Sequence, residues 1–145
     1  MTTIDNIKKE KMNNIMNIAS VALSVVAGIS LIVSGISIMT VMLVSVSERT
    51  REIGIKKSIG ATTYAIMYEF LLESVLITLI GGLIGFVIGA GLSALLCFAV
   101  GLPAAVNVNT VISVLIISVA TGVLFGVYPA RKAAMLRPVD ALRHE

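Results

Sequence analysis

Apolar and polar positions fall along this chain in long blocks rather than in short periods. No residue between Lys11 and Glu48 is charged, and none between Glu73 and Arg131. Residues 18–47 make about 45 Å of helix, against a bilayer hydrocarbon core of about 30 Å. The first block therefore predicts one membrane-spanning helix with length to spare. A signal peptide is the competing reading, with Lys8, Lys9 and Lys11 as its basic start. The apolar run is about twice too long for that, and a charged segment follows where a small-residue cleavage site belongs. The second block is long enough for two helices. Gly101 and Pro103, with Asn107 and Asn109 after them, mark the break.

The pattern predicts an all-α integral membrane protein with three transmembrane helices, a cytoplasmic helix and a short cytoplasmic tail. Its segments are a membrane-flanking stretch 1–17, spans at 18–47, 72–100 and 111–130, a charged segment 48–73, a short loop 101–110 and a tail 131–145. Composition agrees with this reading. Of 145 residues 57% are hydrophobic and 13% charged, and the mean hydropathy is +1.02. A soluble domain carries about 25% charged residues, so an ordinary soluble enzyme, a disordered chain and a disulfide scaffold are all excluded.

Orientation follows from the basic residues. Arg49, Arg51, Lys56 and Lys57 lie in the 48–73 segment, and Arg131, Lys132, Arg137 and Arg143 in the tail; Lys8, Lys9 and Lys11 precede the first span. Placing the first two groups in the cytoplasm puts eight bases inside and three outside. The expectation is a multi-pass cell-membrane protein with its N-terminus extracytoplasmic and its C-terminus cytoplasmic. The net charge of +3 belongs to that asymmetry and to membrane lipids, not to nucleic acid.

Gly81, Gly85 and Gly89 repeat every fourth residue, as do Gly122 and Gly126. Small residues on one helix face allow close helix packing in lipid; a pore lined by glycine backbone is the other reading. No Asp, Glu, Lys, Arg or His lies between Ser74 and Ala130 or in the core of the first span, which argues against an ion channel, a proton pump or a carrier of charged substrates. Cys97 is the only cysteine and His144 the only histidine. No metal-ligand spacing, no Ser/His/Asp set and no GxxxxGK[ST] phosphate loop is present, so neither catalysis nor a cofactor site is expected in this chain.

The 48–61 stretch is the most structured polar segment. Glu52 and Lys56 form a favourable i,i+4 pair. Ile55, Ile59 and Ile66 are expected near one face of a short amphipathic helix on the membrane surface. Gly60 can end that helix, and Thr62 or Thr63 can start the next, which carries Glu69 and Glu73 on one face. This pattern fits a solvated, lipid-facing hairpin or a docking element for a cytoplasmic partner. The tail, with Pro129 and Pro138 bracketing Arg131 and Lys132, reads on its own as a stop-transfer anchor.

The run Glu48, Arg49, Thr50, Arg51, Glu52, Ile53 and Gly54, followed by Lys57, Gly60 and Ala61, resembles the signature after the second transmembrane helix of MacB/FtsX-like ABC transporter permeases. Phe70, Glu73, Ser74 and the Gly81–Gly82 pair resemble the next helix of that family. Residues 125–134 and 137–143, with Pro129, Arg131, Lys132, Pro138, Leu142 and Arg143, resemble its C-terminal end. The resemblance covers about residues 25–145. It implies a permease that couples ATP hydrolysis on a separate ABC ATPase, where ATP and Mg would bind, to export or other extracytoplasmic work by mechanotransmission. The family's cargo ranges over macrolides, antimicrobial peptides and lipids.

The 48–61 helix would then be the ATPase-coupling helix and 129–143 the cytoplasmic end beside it. A second permease copy or paralogue and a periplasmic adaptor are further implied partners. Such permeases have four transmembrane helices and an external domain between the first two, so this chain is expected to correspond to the C-terminal half: a truncated piece, an incomplete reading frame or part of a split permease. Two other roles stay open at this point. One is a non-transporting FtsX-like regulator of extracytoplasmic enzymes or of peptide sensing; the other is a small membrane adaptor.

Overall fold

A computed structural model describes residues 2–101 and 107–137. Among the described residues four helices follow one another: α1 Thr2–Glu48, α2 Thr50–Ser58, α3 Thr63–Val100 and α4 Val108–Ala134. Among the described residues there is no strand. The helices α1, α3 and α4 are each long and apolar enough to cross a membrane. Most of their large apolar side chains are exposed, Ile18, Leu95 and Phe98 among them. Exposure of that kind fits a helix whose solvent is lipid. The fold is an all-α integral membrane protein, as its apolar blocks predict.

Helix ends follow local chemistry. After α2, Gly60 takes φ +102°. Its N–H donates to Lys57 O at 3.1 Å and the Ala61 N–H to Lys56 O at 2.9 Å, the paired bonds of a Schellman stop. The Thr62 hydroxyl caps α3 by accepting from the Ala65 N–H at 3.3 Å. Asn107 does the same for α4 through the Asn109 N–H at 3.1 Å. Between α1 and α2 only Arg49 departs from helical geometry. The hydrogen bonds Arg49 N–H to Ser45 O and Ile53 N–H to Arg49 O, both 3.0 Å, carry the ladder across it.

The chain divides into two compact units, Met1–Ser34 and Gly35–Glu145. In the first, the described residues form the N-terminal part of α1, and all are exposed. Helix there begins at Thr2, although residues 2–17 read from sequence only as a flanking stretch. Ser20 and Ser24 return their hydroxyls to the Met16 and Ser20 carbonyls, so these polar side chains burden the helix little.

The second unit contains the core. Met42 and Val46 of α1, Ile53 of α2, Ile66 and Phe70 of α3, and Ala130, Ala133 and Ala134 of α4 form one buried cluster. The α3–α4 contact continues from it along a row of small residues. Ser74, Thr78 and Gly82 on α3 face Ser118, Gly122 and Gly126 on α4. A Cβ added to Gly122 would lie 2.8 Å from the Val75 Cα, so only glycine permits this backbone approach. The Ser74 hydroxyl, fully buried, donates to Gly122 O at 3.0 Å and lies 2.8 Å from Leu71 O. Gly35 of α1 is likewise closed off by the Phe125 ring.

Candidate functional site

The described charged residues of the second unit gather around α2 and the adjoining ends of α3 and α4. Within α2 the buried residues are Ile53, which belongs to the apolar cluster and is 3% exposed, and Gly54. Ile66 is buried as well, but Ile55 and Ile59 are exposed, Ile59 at 81%. The expected shared face of Ile55, Ile59 and Ile66 is therefore corrected. At about 100° per residue, Ile53, Gly54 and Lys57 occupy the inner side of α2 and turn Ile55 and Ile59 outward.

Lys57 is half-buried. Its ammonium donates to the main-chain oxygens of Ala134 and Leu136, the latter at 2.7 Å. The last carbonyls of a helix have no partner of their own and carry the negative end of its dipole. One cation thus closes the end of α4 and fastens it to α2. Nothing in the sequence pattern pointed to this role, because the partners are backbone atoms some 77 positions away.

The outer side carries ion pairs. Lys56 bridges Glu52 at 3.1 Å and Glu69 at 2.7 Å, and Arg49 approaches Glu73 at 3.8 Å. Hydrogen bonding to Glu69, then to Glu52, raises the Lys56 pKa above its ordinary 10.5. These pairs join α2 to the first turns of α3 across the Gly60 stop. Glu48, Arg51 and Gly60 are exposed, while Thr50 is half-buried and its hydroxyl donates to Ser47 O at 2.8 Å. Ala61 packs against the apolar cluster.

At the end of α4, Pro129 is fully buried and Arg131 and Lys132 are exposed. Pro138, Leu142 and Arg143 lie outside the described residues. Gly122 and Gly126 are buried on the α3–α4 contact. Gly81, Gly85 and Gly89 face open space, with nothing within 4 Å of an added Cβ. The α3 row that does meet α4 is Ser74, Thr78 and Gly82, another small residue at every fourth position, offset by one from the glycine repeat. Among the described residues no group of His, Cys, Asp and Glu could hold a metal ion.

The site is thus a short helix with one face held in a bundle and the other presenting Arg51, Glu52, Ile55 and Ile59, with Glu48 exposed at the end of α1 just before it.

Residues 24–138 match the model of the FtsX-like permease C-terminal family. The chain is 46% identical over 120 residues to the uncharacterized ABC transporter permease YknZ of Bacillus subtilis, covering 83% of this chain and 30% of that one. It is 45% identical over 121 residues to the macrolide export ATP-binding/permease protein MacB of Rhodopirellula baltica, covering 83% and 18%. To the MacB of Bdellovibrio bacteriovorus it is 43% identical over 137 residues, covering 94% and 21%. The chain spans less than a third of the length of each of these relatives.

Proposed function

Because the chain belongs to the FtsX-like permease family, we propose that it is the membrane-embedded permease side of an ABC complex, driven by an ATPase on a separate subunit or domain. ATP and Mg are held there, and this chain performs no chemistry. The reading is supported most by the two-sidedness of α2. Its inner face is fixed by Ile53, Gly54 and the Lys57 bonds to α4, and its outer face is open. A push on Ile55 or Ile59 would move α2 as a unit with the ends of α3 and α4, which is the requirement for passing a nucleotide-driven motion into the bundle.

With eight bases on the α2 side and three before the first span, the coupling surface faces the cytoplasm and the N-terminus is extracytoplasmic. The relatives named for macrolide export make macrolide export the first activity to assay. A second permease copy or paralogue completes the assembly, and a periplasmic adaptor extends it.

The test places a photo-crosslinking amino acid at Ile55, Ile59 or Leu95 of the chain expressed in its own cells, followed by mass spectrometry of the adducts. Crosslinks to a P-loop ATPase from Ile55 and Ile59, and none from Leu95, are expected. If no ATPase is captured from a membrane-inserted chain at either position, the permease-coupling reading fails.

A further inference from the structure

The face of α4 opposite its buried alanines carries a different chemistry. Tyr128, Arg131, Lys132, Met135 and Leu136 recur at the spacing of one helix face and line an open groove of about 410 Å³. Pro129, Ala130, Ala133 and Ala134 hold the other face in the core, so the groove side is fixed outward. Among the described residues neither the Arg131 guanidinium nor the Lys132 ammonium has a hydrogen-bond or ion-pair partner. No acidic residue lines the groove, and the carboxylates Glu52, Glu69 and Glu73 are paired with Lys56 and Arg49 instead. No Asp or Glu occurs between Glu73 and Asp140. The groove is therefore positive, with no acid of its own helix to offset it.

Its position along α4 is equally specific. The residues before Tyr128 form the apolar part of a candidate membrane span, with Leu124 73% exposed. Arg131 and Lys132 follow Tyr128 by about one turn, or roughly 5 Å along the axis. Headgroup phosphates lie just outside the hydrocarbon, and tyrosine rings favour the boundary between the two. Basic pockets at such a depth attract anionic lipid headgroups.

We propose that this groove is a binding site for an anionic phospholipid. Its phosphate sits between Arg131 and Lys132, its glycerol region lies beside Tyr128, and its acyl chains run along the exposed aliphatic face that includes Leu124. Met135 and Leu136 wall the groove on the outer side. The inference needs α4 to cross the membrane and does not depend on any ATPase.

The experiment uses the purified full chain in mild detergent, with native mass spectrometry counting bound phosphatidylglycerol or phosphatidylcholine at physiological salt. Phosphatidylglycerol is expected to be retained about thirtyfold over phosphatidylcholine, as two interfacial cations would give. Arg131→Gln with Lys132→Gln should abolish that preference, while Lys8→Gln, Lys9→Gln and Lys11→Gln together should leave it intact. Equal retention of the two lipids overturns the proposal, as does a preference that survives the Arg131/Lys132 change. Equal loss in both sets of variants also overturns it, since the attraction is then diffuse charge. A preference that appears only after residues 138–145 are deleted overturns it too, by showing that the chain's own tail fills the groove.

Discussion

The Lys57 ammonium lies 2.7 Å from the carbonyl oxygen of Leu136, and it also donates to the carbonyl of Ala134. Two segments far apart in the chain are thereby joined by a single side chain at the point where α2 meets the end of α4. A charged donor on a neutral carbonyl is worth about 1.5–3 kcal/mol, and leaving a partly buried acceptor bare costs a similar amount. Lys57→Met keeps the aliphatic stem and removes the donor. Its expected effect is a loss of about 2 kcal/mol, read from reversible SDS unfolding in mixed micelles. Lys57→Arg should recover most of that loss, and faster amide exchange at 134–137 should accompany the methionine variant alone.

Ile53 and Ile59 are expected to separate folding from docking. Ile53 is 3% exposed within the apolar cluster, so Ile53→Asp buries an unpaired carboxylate there and should prevent a compact second unit from forming. Ile59 is 81% exposed, so Ile59→Asp should leave unfolding within about 0.5 kcal/mol of wild type. Under the coupling reading, that same variant should lose ATPase association in co-purification. An Ile59→Asp protein that keeps its ATPase would move the docking surface elsewhere on α2.

The small-residue contact makes a comparison between glycines decisive. A side chain at Gly122 meets the α3 backbone at 2.8 Å and displaces the Ser74 bond to Gly122 O. Gly122→Val should therefore destabilise the α3–α4 pair by about 1–3 kcal/mol. Gly85 has open space, so Gly85→Ala should be neutral in the purified chain. Helix-pair stability measured by an intramolecular fluorescence-transfer pair on α3 and α4 would check both.

The Glu52–Lys56–Glu69 cluster gives a pH dependence of defined sign. Its hydrogen bonds raise the Lys56 pKa, so the cluster stabilises the fold fully below the ordinary value of 10.5 and loses that contribution as pH rises through the higher folded value. The side chains are largely exposed, which limits the effect to less than about 1 kcal/mol and makes it salt-sensitive. Lys56→Gln should differ from wild type at pH 8 in low salt, and the two unfolding curves should merge well above pH 10.5.

The spans were legible because charge is excluded from them, and the turn from α2 to α3 because Gly60 and Thr62 act through bonds to immediate neighbours. The inner face of α2 was not. Ile55 and Ile59 looked like the apolar stripe, and only the tertiary position of Gly54 and Lys57 shows that Ile53 is the buried isoleucine. The glycine repeat was legible only as a period. Gly81, Gly85 and Gly89 have the same period as Ser74, Thr78 and Gly82, and the period cannot say which row meets α4. The Lys57 bonds were invisible because a backbone acceptor leaves no trace in the residue type that carries it.

The Ser74–Gly122 bond also bears on how the chain enters its membrane. The Ser74 and Thr78 hydroxyls already bond to carbonyls of their own helix, which softens their transfer into lipid. Gly122, however, presents a carbonyl that receives its Ser74 donor only when the neighbouring helix is present. During synthesis, α3 leaving the insertion machinery alone would expose its row of small polar residues to lipid until α4 arrives. The helical hairpin, rather than each helix in turn, is then the natural unit of insertion, and the few residues between α3 and α4 in the sequence keep that wait short.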